Sequence, residues 1–463
     1  MNLRSRMKVK RILALSLCVG IFTVSGLTQK TATKTNPEIT AMMKQVSAKN
    51  IEATIEKLVS FGTRNTLSSQ DDPKRGVGAA RDWIYSEFQR ISADCGGCLD
   101  VQKQTFTQGA IPPPRGRYPQ AAVLTNVYAV LKGTTDPDRL YVVSGHYDSM
   151  CNLDATDSKC DAPGANDDGS GTAASIELAR VMSKHKFDAT IIFMTVPGEE
   201  QGLTGSTYFA KQAAEKKMNI EAMFDNDIIG GVMSYKNAPD RQSIRVFAEG
   251  VPSNETPQEA NTRRSVGGEN DSQSRQLGRY VKEMADMYSP NFKATIVYRR
   301  DRYGRGGDHI PFLEQGYAAV RFTEPHEDYT HQHQTVKMVE GKQYGDLPEF
   351  VDFEYIANVT RINLIGLANL ALAPAKPKNV GIITSGLTND TDLTWEANTD
   401  ADIAGYEVVR RDTTSPYWTN SKFVGNVTSY SAKEMSKDNY FFGVRAVDRA
   451  GNKSPVVYPR PIR

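Results

Sequence analysis

Apolar residues recur along the chain with two periods, and the change from one to the other separates two kinds of domain. From Ile39 to Leu58 they follow the 3.6-residue period of an amphipathic helix. Four short, mainly apolar runs are predicted as strands: 140–144, 190–196, 222–224 and 317–322. Five further helices are predicted: 79–91, 169–185, 204–217, 272–287 and 356–372. This alternation indicates an α/β domain with a mostly parallel mixed sheet flanked by helices on both faces.

The period shortens after a proline-containing linker at residues 373–378. Apolar and polar residues then alternate around Trp395, Gly405–Arg410 and Tyr440–Ala446, with Gly, Asn and Asp turns between them. This pattern is typical of a small all-β sandwich. Residues 379–463 resemble a fibronectin type III domain.

Length, charge and the first residues bear on class and location. A length of 463 residues suggests two domains, and a formal net charge of +2 provides no basic field for nucleic acid. A basic start followed by an apolar run from Ile12 to Val24 is typical of a secretory signal peptide, here residues 1–26. The run is shorter than the ~20 residues of a membrane-spanning helix. We therefore expect an exported protein, periplasmic or secreted, with no transmembrane segment after cleavage; a membrane anchor is the alternative.

Four cysteines follow the predicted signal peptide, and their even number suggests disulfides in an exported chain. Four cysteines permit three pairings. We expect Cys95–Cys98 and Cys151–Cys160, because each closes a short loop. A redox motif at Cys95 and Cys98 is the alternative, although no thioredoxin-like pattern adjoins it.

Ionisable residues follow the predicted strands at the ends where parallel sheets bind ligands. His146, Glu199 and Asp227 each come just after the carboxyl end of a predicted strand. His146 and Asp148 are two residues apart, so in an extended chain they face the same side. A carboxylate beside the far nitrogen of an imidazole makes that imidazole a better metal ligand. The pair is therefore a candidate for metal binding, and a surface His beside an acid is the alternative.

Consecutive acids supply further candidates. Asp167 and Asp168 lie in a Gly-rich loop before a helix, where one carboxylate can bridge two cations; an N-cap is the alternative. Glu199 and Glu200 directly follow a buried strand, where uncompensated carboxylates are costly. In such a pair, one residue can bind metal while the other takes a proton from metal-bound water. For Asp227 the alternative is a solvated acid at a strand end.

The clusters as an ordered set resemble the two-zinc aminopeptidases related to bacterial leucyl aminopeptidase. That superfamily also includes glutaminyl cyclases and glutamate carboxypeptidase-like enzymes. The similarity spans roughly residues 40–372, which places a peptidase domain at residues 27–372. The matching motifs are Gly145–Asp148, Gly164–Asp168, Gly198–Glu200, Asp227–Gly230 and Gly307–His309.

The resemblance implies two zinc ions per chain and five protein ligands. Asp167 would bridge the two ions and would be joined to Asp168 by a cis peptide. The other four ligands would form two pairs: His146 with Asp227, and Glu200 with His331.

The last ligand has an alternative in His333. The family usually has Asp four residues after this His, whereas Thr335 stands four residues after His331. We prefer His331 because of the preceding Tyr329 and the spacing from the last predicted strand. Glu199 is the general acid/base by resemblance, and Asp148 is the outer partner of His146 at the catalytic centre.

These roles imply an aminopeptidase that acts on peptide substrates. Glu199 would take a proton from zinc-activated water during attack on the first peptide carbonyl, then give it to the leaving amine. A carboxypeptidase is one alternative, because Arg299, Arg300, Arg302 and Arg305 could bind a terminal carboxylate. A single-zinc glutaminyl cyclase and a non-enzymatic relative are the others, although every ligand position is filled. We expect the C-terminal domain to contact protein or cell-wall material.

Overall fold

The computed structural model describes residues 35–233 and 239–463. The predicted signal peptide lies outside the described residues. Within the described ranges, no helix is both long enough and apolar enough to cross a membrane.

An eight-stranded sheet forms the centre of the α/β part. Its strands are β1 (Leu99–Gln108), β2 (Ala122–Leu131), β3 (Asp136–His146), β4 (Ala189–Val196), β5 (Asn219–Asn226), β6 (Ser243–Phe247), β7 (Lys293–Val297) and β8 (Ala319–Thr323). Their spatial order is β1-β2-β4-β3-β5-β8-β6-β7. The four central strands β4, β3, β5 and β8 are parallel, whereas β1 and β2 are antiparallel at one edge. The predicted sheet class is confirmed.

Helices cover both faces of this sheet. They are α1 (Pro37–Met43), α2 (Ala48–Val59), α3 (Val77–Asp94), α4 (Gly169–Met182), α5 (Thr204–Glu215), α6 (Pro257–Val266), α7 (Gln273–Tyr288), α8 (Ile310–Glu314) and α9 (Phe353–Leu372). Alternate residues of β3 belong to different apolar clusters. Tyr141 and Val143 pack with α4 and α9, whereas Val142 packs with Phe209 of α5 on the other face.

The single helix predicted from Ile39 to Leu58 is two helices in the structure. Ser47 breaks it, because its hydroxyl caps the start of α2 by accepting from the backbone N–H of Asn50 at 3.3 Å. Carbonyls exposed by the break accept hydrogen bonds from Arg361, which contacts the carbonyls of Met43 and Val46. Two successive helices that pack on the same core can share one continuous apolar period. The sequence pattern therefore does not reveal the break at Ser47.

Strands β1, β2, β6 and β7 of the main sheet were not predicted. Strand β1 is mostly polar, and its side chains alternate between partly buried and exposed positions at the edge of the sheet. A strand covered on one face has apolar residues at only alternate positions, so its sequence pattern is weaker than that of a central strand buried on both faces. A short hairpin, β9 (Lys337–Val339) with β10 (Lys342–Tyr344), follows the main sheet in the chain.

The C-terminal residues form two small sheets around one apolar core. The strands are β11 (Gly381–Ile383), β12 (Thr391–Thr394), β13 (Ile403–Asp412), β14 (Asn420–Gly425), β15 (Ser429–Ala432), β16 (Tyr440–Asp448) and β17 (Arg460–Ile462). One sheet has the order β15-β12-β11-β17 and the other β14-β13-β16. Leu393 of the first sheet and Val408 and Val444 of the second belong to the same core.

The second of these sheets packs against α7 through buried charge. Arg411 of β13 pairs with Asp271 at 2.6 Å, and Arg279 of α7 pairs with the same carboxylate at 2.8 Å. The side chains of Asp271 and Arg411 are 1% and 2% exposed. A second contact joins Arg445 of β16 to Glu283 of α7 at 2.8 Å. The C-terminal sheets are therefore fixed to the α/β part by a buried cluster around Asp271 that is shielded from water and by a more exposed pair at Glu283.

We predict that Asp271→Asn lowers the free energy of unfolding by about 3 kcal/mol, because it leaves two buried guanidinium groups without their carboxylate. Urea unfolding followed by circular dichroism measures this loss. Asp286→Asn on α7 is the control, since Asp286 forms an exposed i,i+4 pair with Lys282. Its loss should be about 0.5 kcal/mol or less. Equal losses in the two variants would show that the buried pair does not stabilise this junction.

Candidate metal centre

Three parallel strands end at one edge of the sheet and bring the candidate residues together. His146 is the last residue of β3, and Asp227 directly follows β5. Glu199 and Glu200 follow β4 after the turn at Pro197 and Gly198. Because β4, β3 and β5 are neighbours, the convergence expected from the sequence is what the structure has.

Two groups of metal-binding atoms meet at this edge and share one residue. In the first donor set (His146, Asp167 and Asp227), Nε2 of His146 lies 3.1 Å from Oδ1 of Asp167 and 3.8 Å from Oδ1 of Asp227. In the second donor set (Asp167, Glu200 and His333), Nε2 of His333 lies 2.8 Å from Oδ2 of Asp167 and 3.1 Å from Oε1 of Glu200. Asp167 presents one oxygen to each set.

Adjacent acids divide two tasks at the start of α4. Asp168 is the N-cap: its carboxylate accepts from the backbone N–H of Gly171 at 2.9 Å and from that of His146 at 2.9 Å. The peptide between Asp167 and Asp168 is cis, as expected from the resemblance. The backbone N–H of Asp167 donates to Asp346 at 2.7 Å. The N-cap alternative thus applies to Asp168, and the side chain of Asp167 points to the donor sets.

Asp148 holds several parts of the site in place. Its Oδ1 lies 3.4 Å from Nδ1 of His146, which also lies 3.1 Å from the Asp148 carbonyl. Its carboxylate accepts from the backbone N–H groups of Glu199 and Glu200, both at 3.3 Å, and from the hydroxyl of Thr66 at 3.0 Å. A proton held on Nδ1 leaves Nε2 as the nitrogen that can bind metal.

The structure brings His333, and not the preferred His331, to the donor sets. The His331 ring stacks on Phe350 with a centroid distance of 3.7 Å, and its Nδ1 lies 3.8 Å from Asp328. The chain turns tightly here, with the backbone N–H of His331 bonded to the Asp328 carbonyl and His333 in the left-handed region at φ 56°. Counting residues from the preceding strand could not anticipate this turn, because side chains in a turn follow neither strand nor helix period.

The site contains buried polar atoms that no protein group satisfies. Nε2 of His146 and Oε1 of Glu200 are buried without a hydrogen-bond partner among the described residues. Burial raises the pKa of Glu199 well above its usual value, and it also raises the pKa of Glu200; nearby carboxylates add to both effects. Imidazole and carboxylate donors at these positions fit zinc, and bound cations would satisfy the orphaned atoms.

Arg321 of β8 is a site residue that the sequence analysis missed. Its Nη2 lies 2.9 Å from Oδ2 of Asp227, and the side chain is fully buried. Burial opposes its charged form, but Asp227 and Asp301 hold the pKa of the guanidinium above its usual value. In the same way, Arg321 helps to keep the pKa of the buried Asp227 at about 2. A lone arginine inside an apolar strand was the available signal, because such a charge needs a buried partner.

Three of the four arginines considered for binding a terminal carboxylate are held by protein acids, and the fourth, Arg299, lies over the Tyr303 ring at 5.2 Å. Arg302 and Arg305 both pair with Glu327, at 3.2 and 2.6 Å. Arg300 pairs with Glu314 at 3.0 Å.

A cavity of about 770 Å³ adjoins the donor sets. Its wall includes Asp167, Gln332 and Glu324 as polar residues, with Ile228 and Phe350 among the apolar ones. A cavity of this size suits a small organic or peptide ligand.

Comparison with known proteins gives a consistent result. The family model for peptidase family M28 matches residues 126–344. A probable zinc metalloprotease of Pyrenophora tritici-repentis is 47% identical over 426 residues, which cover 92% of this chain and 87% of the relative. One of Pyricularia oryzae is 46% identical over 430 residues, covering 92% of this chain and 84% of the relative.

Solved structures show the same fold at low sequence identity. The LapA aminopeptidase of Legionella pneumophila aligns with a TM-score of 0.50 and 20% identity, over 77% of this chain and 80% of that one. LapB of the same organism aligns with a TM-score of 0.52 and 19% identity, over 73% and 76%. Identity near one half over most of the length of the fungal relatives shows more than a common fold: the chain belongs to peptidase family M28, and it is a zinc metallopeptidase.

Proposed function

We propose that the protein is a two-zinc aminopeptidase that removes the first residue from peptides with a free amino terminus. The observation that carries this proposal is the position of Asp167, whose two oxygens belong to different donor sets. A carboxylate that faces two sets of ligands is suited to bridge two cations, and a single-metal cyclase would not need the second set.

The residues around the donor sets have separate roles in hydrolysis. Zinc bound there would polarise the peptide carbonyl and make a water molecule more acidic. Glu199 accepts the proton of the attacking water and then donates it to the leaving amine. Burial raises the pKa of Glu199, and this stabilises the protonated form that donates to the leaving amine. Asp148 contacts the His146 ring and accepts from the backbone N–H groups of Glu199 and Glu200. It therefore fixes the position of the general base Glu199 relative to the imidazole of His146.

The protein groups around the site suit a substrate ammonium group better than a carboxylate. Asp167, Glu199, Glu200 and Asp227 place carboxyl oxygens, which accept hydrogen bonds, at the strand ends. The buried arginine at this edge, Arg321, already pairs with Asp227. A free α-ammonium group would donate hydrogen bonds to these carboxyl oxygens, whereas Arg302, Arg305 and Arg321 already pair with protein acids and are not free to bind a terminal carboxylate.

Export is part of the same proposal. The chain forms two disulfides, Cys95–Cys98 and Cys151–Cys160, which is the local pairing expected from the sequence. Disulfides persist in oxidising compartments and are rare in the cytosol, which supports a role outside it.

A matched set of peptides tests the proposed function. We expect hydrolysis of a free dipeptide amide, no hydrolysis of its N-acetylated form, and loss of activity with a chelator. Cleavage of N-acetylated peptides with a free C-terminus would instead identify a carboxypeptidase. Conversion of N-terminal glutamine to pyroglutamate without peptide hydrolysis would identify a cyclase.

We predict that Glu199→Gln lowers kcat about 10²- to 10⁴-fold while zinc content stays unchanged, because the amide keeps the shape of the side chain and cannot accept the proton. Steady-state kinetics and atomic absorption measure the two quantities. Glu215→Gln, an exposed position on α5, is the matched control and should behave like the parent. Activity within about threefold of the parent in Glu199→Gln would exclude the general-base role.

We predict that His333→Ala reduces bound zinc from about two to about one per chain, whereas His331→Ala keeps both, because only His333 lies within reach of Asp167 and Glu200. Metal analysis after dialysis at fixed free zinc distinguishes the two variants. The reverse result, with zinc lost only in His331→Ala, would contradict the assignment of the second donor set.

A further inference from the structure

Arg321 is a buried cation that no step of the proposed mechanism uses. It lies in β8, directly across from Asp225 in the neighbouring strand β5. Its side chain is 0% exposed, and Nη2 lies 2.9 Å from Oδ2 of Asp227. A guanidinium keeps its charge at any pH at which the protein is folded. Asp227 therefore has a permanent cationic partner before any metal ion arrives.

The loop between β7 and α8 fixes the other side of this guanidinium. Nη1 donates to the Gly306 carbonyl at 2.6 Å and lies 3.4 Å from Oδ2 of Asp301. The next residue, Gly307, leaves the space that Nη1 occupies, because a Cβ at that position would overlap it. Backbone and charge together hold Arg321 against Asp227.

The two oxygens of Asp227 serve different partners as a result. Oδ1 belongs to the first donor set, 3.8 Å from Nε2 of His146, whereas Oδ2 contacts Arg321. A carboxylate shared by two cations attracts each one less strongly than it would attract a single cation. The second donor set differs in this respect: among the described residues, neither Glu200 nor Asp167 pairs with Lys or Arg.

We propose that Arg321 is a positioning residue that presents one oxygen of Asp227 to metal and, through its charge, makes the first donor set the weaker of the two metal positions. This rests on the proposed function in that both donor sets bind zinc. A bound ion that receives less charge from its ligands is a stronger Lewis acid. Arg321 would therefore lower the zinc affinity of the first donor set and make zinc bound there a stronger Lewis acid.

Charge and shape can be separated by two substitutions at this position. Arg321→Met removes the charge and keeps a similar apolar stem, whereas Arg321→Lys keeps the charge and loses the planar fork. Zinc binding to the metal-free protein is measured by competition with a chromophoric chelator. We expect Arg321→Met to bind the weaker zinc equivalent about tenfold more tightly than the parent. Arg321→Lys should stay within about threefold of the parent.

Two further variants complete the experiment. Arg139→Met is the matched control. Arg139 is a buried arginine that pairs with Asp136 near the amino end of β3, at the opposite end of the strand from the donor sets. The variant should lose stability without a change in zinc affinity. Asp301→Asn removes a negative charge beside Arg321, so it should weaken the weaker zinc equivalent, and it serves as the test if Arg321→Met does not fold.

Different results would overturn the role of Arg321 and the proposed aminopeptidase activity. Unchanged or weaker zinc binding in Arg321→Met, or a Lys variant that behaves like the Met variant, would overturn the role of charge. If Arg321→Met does not fold, zinc binding to Asp301→Asn as tight as to the parent would overturn it. Tighter zinc binding in Arg321→Met, with a parent that does not cleave free-amine peptides, would instead overturn the aminopeptidase and leave the role of Arg321 standing.

Discussion

Negative charge buried at the carboxyl ends of β3, β4 and β5 is the constraint on which the rest of this structure depends. Asp167, Glu200 and Asp227 are buried there, and Glu199 beside them is half-buried. Carboxylates in such a place destabilise the fold unless cations or hydrogen-bond donors compensate them. The protein supplies Arg321 and backbone N–H groups, and orphaned atoms on His146 and Glu200 remain for metal. The requirement for zinc thus follows from the charge as much as from the family.

Compensation of this charge also explains features that lie outside the donor sets. Asp168 caps α4 and accepts from the backbone of His146, so a helix terminus and a residue of the first donor set share one anchor. Asp346 accepts from the backbone N–H groups of Asn166 and Asp167; burial raises its pKa to about 7, although these hydrogen bonds act to lower it. The backbone around Asp167 is therefore tied on both sides. A ligand so constrained loses little conformational entropy when a metal binds.

Sequence reasoning recovers the parts of this molecule that repeat with a period or follow a strand. The sheet class and the positions of His146, Glu199 and Asp227 come from apolar runs and from the rule that parallel strands bind ligands at their carboxyl ends. It misses the edge strand β1, which is too polar, and the break at Ser47, where two helices share one apolar face. Each miss is a place where tertiary contacts, and not local pattern, decide the structure.

The sequence favours His331 as the last ligand, whereas the structure places His333 at the donor sets. This difference shows that residue spacing within a turn does not predict where the side chains point. Asp148 follows directly after the strand that ends at His146, and its Oδ1 lies 3.4 Å from Nδ1 of His146, in line with the expectation from their two-residue spacing. In the turn after β8, the same separation sends His331 to stack on Phe350 and His333 to the donor sets. For Arg321 the strand was predicted, but its ion pair with Asp227 was not. A charge inside an apolar strand has to be matched by an opposite charge, and here that match falls on Asp227 of the first donor set. The identity of the buried partner, more than the strand itself, therefore connects Arg321 to the proposed metal site.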